Sequence, residues 1–177
     1  MKQVLIAGIG NILLGDDGVG PYVVELLQSS YEFAEGVAVE DLGTPALDFI
    51  DHIAGLDALI VIDSVDNGEP AGTITLYRKP ELIRRTSPAR MDTHSPAITE
   101  SIVAAEIFFG VSPPEILLIG ISAGSYDAGC SLSNPVKGAV GAAIRNVLAE
   151  LDHLGVSYKA RAKSDSSIWW SPVSQTA

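Results

Sequence analysis

Cysteine is nearly missing from this chain: of 177 residues only Cys130 carries a thiol. No disulfide can therefore form within the chain, and the composition suits a reducing compartment. Charged residues make up only 19% against 47% apolar ones, which excludes a disordered polyelectrolyte. Basic residues are the scarcest charged class, 11 against 22 acidic, for a net charge of −11. Nucleic-acid binding needs basic patches, so that function is excluded. No apolar run reaches membrane-spanning length. The start, Met1-Lys-Gln-Val-Leu-Ile6, passes directly into a strand-like run without the pattern of a signal peptide. A cytoplasmic protein with no membrane contact is expected. Its length predicts a single domain, residues 1–159, followed by a weakly ordered tail, 160–177, whose oddity is the pair Trp169 and Trp170.

The shortage of basic residues is uneven. Residues 1–77 hold 13 acidic residues and one basic residue, Lys2, for a net −12. Five basic residues then fall together: Arg78, Lys79, Arg84, Arg85 and Arg90. They read either as a solvated loop or as a docking surface leading into His94.

What the chain has in abundance is glycine near its start. The run Gly8-Ile-Gly-Asn-Ile-Leu-Leu-Gly-Asp-Asp-Gly-Val-Gly20 follows the apolar Val4-Leu5-Ile6-Ala7. Beyond it, Val19, Val23, Leu26 and Leu27 recur at helical spacing. This predicts a strand, a glycine-rich loop and a helix. A dinucleotide fingerprint would need glycine where Leu13 stands. Asp16 and Asp17 at the helix start would also repel a pyrophosphate. They read as complements to the helix dipole or as a metal ligand or catalytic acid at the mouth of an α/β sheet.

Further strands are predicted at 37–42, 57–63, 72–78 and 115–121, after the first at 3–8. Helices are predicted at 18–30, 45–54, 96–109 and 135–154, with a loop over 79–95. Thr44-Pro45, Ser95-Pro96 and Asn134-Pro135 each pair a capping oxygen with proline at the first helical position. Gly55, Gly110 and Gly155 stand where helices stop. Alternating strands and helices predict a three-layer α/β/α sandwich. The link 64–71 is too short for a helical crossover, so the fourth predicted strand should run antiparallel.

In open α/β sheets, sites gather at the C-terminal ends of parallel strands. Asp17 lies just past the first predicted strand, Asp41 ends the second, Asp63 ends the third, and His94 precedes a helix. Carboxylates with imidazole suit a borderline divalent ion. His94 also reads as a loop or capping histidine, and His52 and His153 suit helix C-termini. A competing signal is Gly120-Ile-Ser122-Ala-Gly124, which matches the serine-hydrolase elbow. That elbow needs a helix directly after Ser122, and the following residues make a poor one. Cys130 reads as a bystander rather than a nucleophile.

The pattern GIGNxLLGDDGVG resembles that of the hydrogenase maturation proteases, endopeptidases that trim the C-terminus of the nickel-iron hydrogenase large subunit. Asp41-Leu-Gly-Thr44, Leu59-Ile-Val-Ile-Asp63, His94 and Leu132-Ser-Asn-Pro135 resemble later segments of that family in the same order, over about residues 1–154. The resemblance implies a phosphorylase/hydrolase-like fold with a mixed five-stranded sheet of order 2-1-3-5-4. It implies an aspartate-dependent endopeptidase that cuts a large-subunit precursor and recognises nickel carried by that precursor. By position, Asp17, Asp63 and His94 would contact the metal, and Asp41 would serve cleavage or recognition. Asp17 stands where the family often has glutamate, and Ser122-Ala123 where it normally shows Gln-Pro. The alternatives are a serine hydrolase using Ser122 and a metal- or nucleotide-binding module without catalysis. Oligomeric state is not legible in the sequence.

Overall fold

The computed structural model describes residues 1–45, 49–85, 101–102, 105–106, 110, 112–129 and 131–162. Five strands form the central sheet: β1 (Val4–Ile9), β3 (Val37–Gly43), β4 (Ala58–Val65), β5 (Ile74–Arg78) and β6 (Glu115–Ser122). Their spatial order is β3-β1-β4-β6-β5. Counting only these five, that is the expected order 2-1-3-5-4. β1, β3, β4 and β6 are parallel, and β5 pairs antiparallel with β6. The short β4–β5 link therefore has the consequence expected of it.

The helices divide between the two faces. On one side α1 (Val19–Ser30) and α4 (Asn134–Leu154) pack over Val4, Ile6, Ile60, Ile62, Leu117 and Ile119. On the other, Phe49 and Ile53 of α2 (Phe49–Ile53), Leu82 of α3 (Lys79–Arg85), Ile102 and Ala105 cover Leu5, Ala7, Leu59 and Val61. β4 is buried along its whole length. Its alternate residues enter opposite cores, which is why it reads as a continuous apolar run rather than an alternating one. α1 lies close against β1 because small residues meet there. A Cβ on Gly20 would fall 2.3 Å from the Ile9 carbonyl oxygen and 2.4 Å from that of Ile62. Gly8 faces the same contact from the strand side, 2.6 Å from the Gly20 oxygen.

Three local expectations are corrected. Residues 79–85 are helical rather than part of a loop. Pro80 sits in the first turn, where its missing N–H is harmless. Glu81 accepts from the Arg78 N–H at 2.8 Å, which is half of a capping box. The helix expected to begin at Thr44-Pro45 is described from Phe49, residues 46–48 lying outside the described set. The N-cap of α4 is Ser133 rather than Asn134, and its hydroxyl makes no capping bond because it is used elsewhere. Gly155 closes α4 as expected.

A second, two-stranded sheet escaped the sequence reading: β2 (Tyr31–Phe33) pairs antiparallel with β7 (Tyr158–Ala160). Pairing continues one residue further, where the Arg161 N–H bonds the Ser30 carbonyl at 2.8 Å. Strands of three residues carry too little periodicity to be seen alone. The expected helix at 96–109, His94, Cys130, Arg90, Trp169 and Trp170 fall wholly or largely outside the described residues. Among the described residues, no helix is long and apolar enough to cross a membrane.

Candidate active site

The glycine loop ends in a 3-10 turn, Gly15–Gly18, that presents two adjacent buried aspartates. They do different things. Asp16 ties together distant segments. Its Oδ2 accepts from the N–H groups of Gly124 at 2.8 Å and Ser125 at 3.2 Å and from the Ser133 hydroxyl at 2.8 Å. Its Oδ1 accepts from the Ser133 N–H at 2.6 Å. Four donors satisfy this buried carboxylate, so the turn, the loop after β6 and the start of α4 are held as one body.

Asp17 instead faces the strands. Its Oδ2 accepts from the Asn11 N–H at 2.9 Å and its Oδ1 from the Ser64 hydroxyl at 2.8 Å. Gly10 makes room for this. It holds φ +134°, and a Cβ there would lie 1.8 Å from the Asp17 carbonyl oxygen. Its N–H bonds the Gly43 carbonyl at 2.8 Å, which fastens the loop to the end of β3.

Asp63 is the sixth residue of β4 and is buried at the edge of the sheet. Strand alternation places Ser64 on the α1 side, where it meets Asp17, and Asp63 on the opposite side, facing the layer of α2 and α3. Its cross-strand neighbour is Gly120, which brings no side chain. Asp41 lies opposite Gly8 near the end of β3. It is exposed, and its Oδ1 accepts from the Gly43 N–H at 2.8 Å. Asp17, Asp41 and Asp63 thus come to the C-terminal edge of three adjacent parallel strands. His94, the fourth residue expected there, lies outside the described residues. Among the described residues, no three His, Cys, Asp or Glu side chains form a metal-holding group. The Asn11 and Ser64 bonds take one of roughly two lone-pair sites on each Asp17 oxygen, so the carboxylate keeps capacity for a metal brought to it.

Ser122 has a structural role. It is buried, its hydroxyl donates to Asn67 Oδ1 at 2.8 Å, and its N–H bonds the Thr73 carbonyl at 2.9 Å. The Asn67 amide in turn donates to Thr75 Oγ1 at 3.2 Å and the Tyr77 hydroxyl at 3.3 Å. This network closes the β4–β5 link onto β6. Among the described residues of 123–133 there is no helix to form a nucleophile elbow. His153 lies in the last turn of α4, next to Leu154, whose carbonyl accepts from Lys2 before β1. That is the opposite end of the sheet, so the serine-hydrolase reading is overturned.

The basic cluster is partly spent on internal pairs. Arg78 grips Glu150 of α4 through two bonds of 2.5 and 2.7 Å. The hydrogen bonds it donates to Glu150 hold the Arg78 guanidinium above its ordinary pKa. Lys79 bonds Glu106 at 2.9 Å and the Pro113 carbonyl at 2.9 Å. The bond from Lys79 lowers the Glu106 carboxyl below its usual range.

Residues 21–150 match the model of a family described as hydrogenase maturation protease. A hydrogenase expression/formation protein, HoxM, from Azotobacter vinelandii is 38% identical over 160 residues, 90% of this chain and 77% of its own. The hydrogenase 2 maturation protease of Escherichia coli K12 is 28% identical, over 87% of this chain and 93% of its own. The solved structure of the hydrogenase maturating endopeptidase HybD from E. coli superposes with a TM-score of 0.83 at 29% identity, covering 91% of this chain and 98% of that one.

Proposed function

Because the chain belongs to the hydrogenase maturation protease family, we propose that it removes a C-terminal extension from a nickel-loaded [NiFe]-hydrogenase large-subunit precursor and recognises the nickel already bound there. The observation that supports this reading is the position of Asp17, Asp41 and Asp63 at the C-terminal ends of three adjacent parallel strands. A protease that meets a metal held by its substrate needs donors at an open edge and no closed cage of its own.

In this reading Asp17, Asp63 and His94 take vacant positions on the substrate's nickel. Their role is to place the neighbouring peptide bond, a gain of orientation rather than of new covalent chemistry. Asp17 is well suited to a fixed position, because Ser64 and Asn11 hold both of its oxygens. Asp41 is exposed and therefore able to orient a water toward the bond to be cut. The metal is substrate cargo, and no resident cofactor is part of the proposal. The proposed compartment is the cytoplasm.

The test is incubation with nickel-loaded and nickel-free precursor, followed by intact mass. Loss of a C-terminal fragment from the loaded precursor alone is expected. Asp17→Ala, Asp63→Ala and His94→Ala should each abolish it in folded protein. Cleavage of both precursor forms would reject nickel recognition. Normal processing by two of the three variants would reject the site.

A further inference from the structure

Ile12, Leu13 and Leu14 are three consecutive apolar residues in the loop after β1, and none is buried. None joins either core cluster among the described residues, although both clusters lie directly beneath the loop's strand. Leu13 is 59% exposed and Tyr126, on the loop after β6, is 37% exposed. Single exposed leucines need no explanation. Leu76, alone on the outer strand β5, is such a case. A run of three apolar residues with Leu13 exposed and Ile12 and Leu14 only half-buried is different, because it costs solubility and adds little to the core.

The run is also held still. Asn11 Oδ1 accepts from the Leu13 N–H at 3.0 Å, and the Asn11 carbonyl accepts from the Leu14 N–H at 3.0 Å. The two loops are fastened to each other. The Gly129 N–H bonds the Leu13 carbonyl at 2.9 Å, the Gly15 N–H bonds the Gly129 carbonyl at 2.8 Å, and the Asp16 N–H bonds the Ser125 carbonyl at 3.0 Å. The ordering cost of this surface is thus met within the free protein, which is what a pre-formed binding contact requires. Asp17 follows three residues after Leu14 on the same loop.

We infer that Ile12–Leu14, with Tyr126 beside it, is a docking surface for an apolar segment of the hydrogenase precursor. This rests on the processing function proposed above. The occupant is the substrate polypeptide because the surface is continuous with the loop that carries Asp17. Its apolar character also fits a neighbourhood otherwise rich in carboxylates, where a charged peptide would gain little selectivity.

Initial processing rates across a range of concentrations of the cognate nickel-loaded large-subunit precursor would be measured for wild type, Leu13→Ser, Leu13→Met and Tyr126→Ser. Melting temperature and sedimentation would accompany each. The expected result for Leu13→Ser is a KM raised about tenfold with kcat retained, the scale of a small anchoring contact. Melting temperature should be unchanged, and Leu13→Met should restore KM. A wild-type KM in both serine variants would overturn the docking surface while leaving the proposed function intact. A loss of kcat at constant KM would overturn it too, by making the loop a support for Asp17 alone. A change of oligomeric state in Leu13→Ser would assign the surface to a second copy of this chain. Absence of cleavage by wild type would reject the parent function, and this inference with it.

Discussion

Ser64 donates its hydroxyl hydrogen to Asp17 Oδ1 over 2.8 Å, joining the residue after Asp63 to the loop after β1. Two residues 47 positions apart in the chain therefore share one orientation, and the candidate site is coupled across the sheet edge.

Ser64→Ala should slow processing without unfolding the protein. The buried Asp17 keeps its bond from the Asn11 N–H but loses a charge-assisted bond worth about 1.5–3 kcal/mol. A drop of roughly tenfold or more in kcat with KM nearly unchanged is expected, since an orientation rather than a contact is lost. Wild-type kcat in Ser64→Ala would show that Asn11 alone suffices to hold Asp17.

Ser122→Ala should process normally. The hydroxyl links Asn67 to β6 and touches none of the three aspartates in any observed bond. Its loss leaves Asn67 Oδ1 still accepting from the Glu69 N–H. A stability decrease of about 1 kcal/mol by denaturant titration is expected. Loss of processing in a stable variant would return the serine to the reaction.

Arg78 and Glu150 should behave unequally. The Arg78 side chain is 45% exposed and that of Glu150 only 5%. Arg78→Ala strands a buried carboxylate, which costs on the order of 2–3 kcal/mol, whereas Glu150→Ala leaves a guanidinium that water can reach and should cost less. Urea midpoints of the two variants would decide this. Equal losses would mean that the burial of Glu150 is relaxed when its partner leaves.

Acid should release the Lys79–Glu106 bond. The Glu106 pKa is lowered in the folded chain, so the contribution of this bond to stability is present above the unfolded carboxyl pKa and is lost as pH falls through the folded one. The effect should be small, because the carboxylate is exposed. Glu106→Gln should flatten part of the decline in melting temperature between neutral and acid pH. Parallel pH profiles for variant and wild type would show that the ion pair contributes nothing to stability.

The sequence by itself determined the five strands of the central sheet, their order of appearance and the direction of β5. Strands buried on both faces must be continuously apolar, as Ala58–Val61 is, and a link too short for a crossover leaves only an antiparallel return. It also led to carboxylates being expected at one sheet edge, because parallel strands all end at the same edge. Only tertiary structure decided the partners of Asp16 and Asp17. The two are adjacent and chemically identical, yet the donors for Asp16 lie 108 to 117 residues away, while Asp17 finds Asn11 and Ser64. No local pattern encodes that difference. The same holds for Ser133, drawn from capping to Asp16, and for Arg78, whose partner Glu150 lies 72 residues on. Local patterns follow from backbone sterics and periodicity, which a window of residues contains. The partner of a buried charge is decided by whichever donor the completed fold brings within about 3 Å, and that is a property of the packed chain alone.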